Sequence, residues 1–184
     1  MGLQARPDAP RLAAIALVDI APWMEPQGVG RIVDFMRAYP DGFASLEEVS
    51  RHIAGYRGQT LAAIPAGLRK NLRLNGHGRW VWHWDPRLMS GENHDHRNDP
   101  AFFERALACY PGPLLLVRGA RSDVVSEESV SRFTKMFPRA RVTQLTGAGH
   151  MVAGDANTAF TSTVIEFLAE VMPTDGTPTQ QLDK

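Results

Sequence analysis

Two short apolar runs, Leu12–Ile20 (LAAIALVDI) and Leu114–Val117 (LLLV), constrain the fold of this chain more than any other feature. Each is nearly continuous rather than alternating, the pattern of a strand covered on both faces, as in a parallel sheet. A third strand is expected at Arg141–Thr146, and helical periodicity fills the intervals after the second and third runs. Ser126–Phe137 sets Val130, Phe133 and Phe137 on one side and stops at Pro138. Asp155–Met172 does the same with Phe160, Val164, Phe167, Leu168 and Val171. Strands separated by helices argue for a right-handed parallel α/β sheet.

The first two runs are far apart, and the interval reads as a mainly helical insert, 23–110, above the strand ends. Within Glu25–Tyr39, Val29, Ile32, Val33 and Met36 fall at helical spacing, and Pro40-Asp41-Gly42 ends the run. Ser45 with Glu48 three residues on forms a capping box for a helix striped by Leu46, Val49, Ile53 and Tyr56. Ala66–Leu74 is expected as a third, shorter helix. In Gly78–Asp85 (GRWVWHWD) Trp80, Trp82 and Trp84 alternate, so an extended segment would point all three the same way. Asp99-Pro100 caps a helix running to about Cys109. The expected organisation is a core from 1–22 and 111–172, the insert 23–110, and a disordered tail 173–184 rich in Thr, Pro, Gly and Gln.

Twenty basic and twenty acidic residues cancel, so no net positive field gathers phosphate backbone or anionic lipid, and neither nucleic acid nor membrane is expected as a partner. Leu12–Val18 is too short for a membrane span, and Asp19 follows it without a signal-peptide cleavage pattern. The single cysteine, Cys109, cannot form an internal disulfide, which fits a reducing, cytoplasmic setting.

In open α/β sheets functional groups collect at the carboxyl ends of the strands. Asp19, Asp123 and His150 follow the three runs. His150 stands on the turn of Leu145–Val152 (LTGAGHMV), whose glycines permit a tight, left-handed backbone that lifts an imidazole out of the core. Such a histidine works as a general base near neutral pH, and an acid holding it in its working tautomer completes half of an acid–base relay. His83, His94, Asp95 and His96 invite a metal reading, but no further ligand is placed by spacing, so neither metal nor cofactor is expected.

The runs LVDIAP (Leu17–Pro22), LLVRGARSDVV (Leu115–Val125) and GAGHMV (Gly147–Val152) resemble those of α/β-hydrolase fold proteins, with GRWVWHWDP (Gly78–Pro86) similar to the cap of the epoxide-hydrolase-like and haloperoxidase-like esterase branch. The resemblance covers about Leu12 to Met172. It implies a nucleophile–Asp–His triad acting on a small apolar ester or epoxide-like substrate, with Asp123 as the acid, His150 as the base and Asp19 as the alternative acid. Trp80, Trp82, Trp84 and Met151 would be either pocket lining or, in the bland reading, cap packing.

One departure outweighs the match. The sequence contains no G-x-S-x-G, and Ser45, Ser50, Ser90, Ser122, Ser126, Ser129, Ser131 and Ser162 sit in cap, loop or helix contexts. The resemblance therefore implies the C-terminal part of an α/β-hydrolase fold, its last three parallel strands, with nucleophile elbow and oxyanion hole upstream of Leu12. Such a chain is expected to be inactive alone and to self-associate through the apolar strand edge at Leu12–Val18. The alternative is a non-catalytic remnant that binds a partner through that edge and the cap.

Overall fold

The computed structural model describes residues 12–60, 64, 67–89 and 99–172, with backbone alone at 88–89. The expected tail, 173–184, lies outside the described residues. In chain order the elements are β1 (Ile15–Val18), α1 (Pro26–Arg37), α2 (Leu46–Arg57), β2 (Leu72–Leu74), β3 (Trp80–Trp82), α3 (Pro100–Ala108), β4 (Leu114–Gly119), α4 (Glu127–Met136), β5 (Arg141–Leu145), α5 (Val152–Asp155) and α6 (Asn157–Val171). They fall into two compact units, one drawn from 1–29 and 96–184, the other from 30–95, with the division inside α1 between Val29 and Gly30. Trp23–Val29 and α3, both inside the 23–110 span of the expected insert, thus go with the first unit.

The first unit holds a parallel sheet in the order β1-β4-β5. Ile15 pairs with Leu114 and Val18 with Val117, while Gly119 pairs with Leu145. The central strand β4 is buried along its whole length, which is why its sequence is continuous rather than alternating. Leu114 and Leu116 face Leu17, Leu107 of α3, and Phe133 and Phe137 of α4. Leu115 and Val117 face Val152 of α5 and Phe167 of α6. Leu115, Leu116 and Val117 are all 0% exposed, and a fully buried side chain of this kind stabilises by about 1.5–3 kcal/mol. Because the three strands run parallel, Asp19, the segment after Gly119 and the segment after Leu145 all emerge at one end.

Capping residues act as their chemistry requires. Asp99 accepts from the Ala101 N–H at 2.9 Å ahead of Pro100, and Ser126 accepts from the Ser129 N–H at 3.1 Å to start α4. The helix expected over Asp155–Met172 is α6, and the one-turn α5 precedes it with Ala156 (φ −136°, ψ 50°) between the two.

The second unit packs α2 and the hairpin β2–β3 around Phe43, Val49, Leu68 and Leu72. Ser45 accepts from the Glu48 N–H at 3.3 Å, and the Glu48 carboxylate accepts from the Ala44 N–H at 2.6 Å, one residue earlier than in the expected box. The helix expected at Ala66–Leu74 is corrected: Leu68–Asn71 is a 3₁₀ turn, and Leu72–Leu74 is a strand antiparallel to Trp80–Trp82. The cause is the turn that follows. Asn75 Oδ1 accepts from the His77 and Arg79 N–H groups, both at 3.0 Å, and Gly78 takes φ 70°. That Asx geometry reverses the chain and recruits the preceding residues into a ladder. The insert region is thus helical with a hairpin.

Candidate active site

The site is built at the shared carboxyl end of the sheet, and Asp19 is its centre. Its backbone N–H donates to the Val117 carbonyl at 2.8 Å, which extends the ladder by one bond past β1. Its own φ is 49°, in the left-handed region. Among side chains, aspartate and asparagine tolerate that region best. The left-handed step turns the chain so that the carboxylate lies against the end of β4, where it is 0% exposed.

A buried carboxylate requires donors. Asp19 Oδ1 accepts from the Gly119 N–H at 3.0 Å. Asp19 Oδ2 accepts from the Ser122 hydroxyl at 2.5 Å and lies 2.9 Å from His150 Nδ1. A carboxylate only accepts, so where Asp19 is ionised this bond requires the proton on Nδ1 and leaves Nε2 as the basic nitrogen. The His150 side chain is 26% exposed, so the ring is accessible while its acid is not.

Two loops hold these groups in register. After β4, the Ala120 N–H donates to Leu145 O and the Arg121 N–H to Ala148 O, both at 2.9 Å, which pins the loop to the turn carrying His150. The Arg121 guanidinium also donates to Gly147 O. In that turn Gly147 has φ 79°, as the GAGH string suggested, and the Gly149 N–H donates to Asp155 Oδ2 at 3.0 Å. Arg118, buried in β4, donates through Nε to Val125 O at 2.6 Å and through Nη1 to Gln144 Oε1 at 3.0 Å. It ties the far side of the β4–α4 loop to β5.

Of the two candidate acids, Asp19 lies 2.9 Å from the His150 ring. Asp123 is half-buried, and its main chain packs toward the start of α1. A β-carbon on Gly28 would meet Asp123 O at 2.1 Å, and the Glu25 N–H donates to Val124 O at 2.8 Å. Ser122 is the residue that this loop turns onto the Asp19 carboxylate at the end of β1. Ser122 and Gly119 are the two site residues that sequence reasoning missed. Both lie in the RGARSDVV string, whose local pattern marks no donor to an acid 100 or more residues away.

The other candidate residues have the following surroundings. Trp80 and Trp82 pack against the Phe43 cluster of the second unit, and Trp84 stacks on Trp82 with centroids 4.5 Å apart and planes 17° apart. Only Trp80 and Trp82 are in the strand, so the expected three-way alternation stops one residue short of Trp84. Met151 is 47% exposed beside His150. The His83 ring bonds through Nε2 to Leu72 O at 2.8 Å. His94, Asp95 and His96 lie outside the described residues, and among the described residues no group of three or more His, Cys, Asp or Glu side chains could hold a metal. Among the described residues no helix is long and apolar enough to cross a membrane.

No protein-family model matches the chain. It is 32% identical over 107 residues to the sn-1-specific diacylglycerol lipase ABHD11 of Xenopus laevis, covering 58% of this chain and 33% of that protein. It is 25% identical over 160 residues to a 3-hydroxybutyrate-oligomer hydrolase of Cupriavidus necator, covering 82% of this chain and 54% of the relative. Among solved structures, E-2-(acetamidomethylene)succinate hydrolase superposes with a TM-score of 0.71 at 20% identity, over 85% of this chain and 57% of that one. The chain therefore spans from a third to little more than half the length of the proteins it matches.

Proposed function

We propose, from the premise that the chain belongs to the α/β-hydrolase superfamily and carries its last three parallel strands, that it supplies the acid and base of an ester hydrolase. His150 is the general base and Asp19 is the acid that orients it. The observation that carries this reading is the bond of 2.9 Å from His150 Nδ1 to a fully buried Asp19 carboxylate at the carboxyl end of the sheet. In that arrangement Nε2 takes a proton from a serine hydroxyl or water attacking an acyl carbon, and Asp19 stabilises the imidazolium that forms. Relatives named as a diacylglycerol lipase and a 3-hydroxybutyrate-oligomer hydrolase support an ester as the bond broken. The sequence holds no G-x-S-x-G, so this reading assigns it neither nucleophile nor oxyanion donors.

Two measurements on the 184-residue chain test this. The His150 ring proton on Nδ1 should be visible by NMR and disappear in Asp19→Asn. Hydrolysis of p-nitrophenyl butyrate should stay at the buffer rate. A ring protonated on Nε2 instead would overturn the acid–base assignment. Turnover abolished by His150→Ala would place the nucleophile inside the chain and overturn the division of labour.

One observation favours a second reading. Among the described residues β1 pairs only with β4, and an unpaired strand edge is a template for another chain. In this reading the chain associates with a second copy through β1.

A further inference from the structure

We infer that Ser122 is the positioning residue of this site: its hydroxyl locks the Asp19 carboxylate in the orientation that holds His150. The inference rests on the Asp19–His150 reading above and adds to it a residue outside any nucleophile–acid–base set.

The argument is a count of hydrogen-bonding capacity. A serine hydroxyl has one proton to give and two lone pairs to receive with. Both lone pairs of Ser122 are filled, by the Val124 and Val125 N–H groups, each at 3.1 Å. Its one proton goes to Asp19 Oδ2 at 2.5 Å, a length typical of a hydroxyl donating to a charged oxygen. The hydroxyl has no freedom to rotate toward another acceptor without leaving an N–H group unpaired. Ser122 itself is held, because its backbone N–H donates to Gly119 O at 2.9 Å.

Asp19 Oδ2 is also the oxygen that receives His150 Nδ1 at 2.9 Å. With Oδ1 fixed by the Gly119 N–H at 3.0 Å and Oδ2 fixed by Ser122, the carboxylate plane cannot turn. The remaining lone pair of Oδ2 is then aimed at the imidazole. Without the Ser122 proton the carboxylate keeps one anchor on each side only if His150 itself supplies the second. The ring would then be orienting the acid instead of being oriented by it. The same geometry excludes Ser122 as the nucleophile, because its proton is committed to Asp19 and not to His150 Nε2.

The test uses the 184-residue chain labelled with ¹⁵N-histidine, following exchange of the His150 Nδ1 proton with solvent. Ser122→Ala should speed that exchange about tenfold or more, the loss expected when a hydrogen bond to a charged group is removed. Ser122→Thr, which keeps the hydroxyl, should retain slow exchange. Ser122→Cys, which keeps the shape but offers a weak S–H donor, should follow alanine, and it serves as the test if the alanine variant does not give a dispersed spectrum. Wild-type exchange in both the alanine and cysteine variants would overturn the role of Ser122 and leave the Asp19–His150 pair standing. Absence of an Nδ1 proton in the wild type would overturn the pair and this inference together.

Discussion

Gly119→Ala probes how the two loops of the site are fitted together. Gly119 ends β4 and gives its N–H to Asp19. A β-carbon there would lie 2.1 Å from Gly149 O, 2.7 Å from Ala148 O and 2.9 Å from the Gly149 carbonyl carbon. All three atoms are backbone, in the turn that carries His150. Since carbon and oxygen do not approach within 3.0 Å in such contacts, the turn must withdraw by about an ångström, and close-packed interiors absorb such shifts poorly. The backbone of Gly119 is not left-handed, so the effect is purely steric. Overpacking costs about 1–3 kcal/mol, and the upper end is expected because the turn is pinned by Arg121 N–H to Ala148 O at 2.9 Å. For a chain of this size about 3 kcal/mol lowers Tm by roughly 6–12 °C. Gly149→Ala is the internal control. Its β-carbon would meet only Asp155 Oδ2, at 3.6 Å, an ordinary contact, so its stability should change by no more than about 0.5 kcal/mol. Thermal melts by circular dichroism, with the Nδ1 proton of His150 followed in parallel, read both effects. A Gly119→Ala protein that melts within about 2 °C of wild type and keeps that proton would refute the reasoning.

Two other outcomes are open to measurement. Burial pushes the Tyr110 phenol above its ordinary value; the unfolded phenol ionises near pH 10, so the stabilising contribution is complete below that pH and is lost as pH rises toward the folded value. Melts between pH 8 and 11 should therefore fall less steeply for Tyr110→Phe than for wild type, and parallel curves would contradict this. If copies associate through β1, size-exclusion elution of the chain should move to smaller apparent mass on dilution; a monomer at every concentration would remove that reading.

The core elements were legible because their physics is local. Four consecutive apolar residues at Leu114–Val117 can only be a strand buried on both faces, and Ser45, Asp99 and Ser126 announce helix starts through side chains that reach only two or three residues. Which strand-end carboxylate meets His150 was not legible. Asp19 and Asp123 both follow strands, and what separates them is a left-handed turn at Asp19 flanked by Val18 and Ile20, with no glycine to advertise it. The partnership of Ser122 with Asp19 spans 103 residues, so no local pattern encodes it. The β2–β3 hairpin was missed for a different reason. Its signal, Asn75 to Gly78, was present, but a leucine- and arginine-rich stretch before it outweighed that turn.

The left-handed backbone of Asp19 also limits how this position can drift. Most side chains at φ 49° would strain the exit of β1, so the replacements whose backbone fits there are asparagine and glycine. Asparagine has nearly the volume of aspartate and can still accept from Gly119, yet it carries no charge to hold an imidazolium. A single nucleotide change therefore keeps the backbone turn but sets an amide NH2 against the Ser122 hydroxyl, whose one proton loses its charged acceptor. Backbone fit and charge are therefore separate demands on this one residue, and only aspartate meets both.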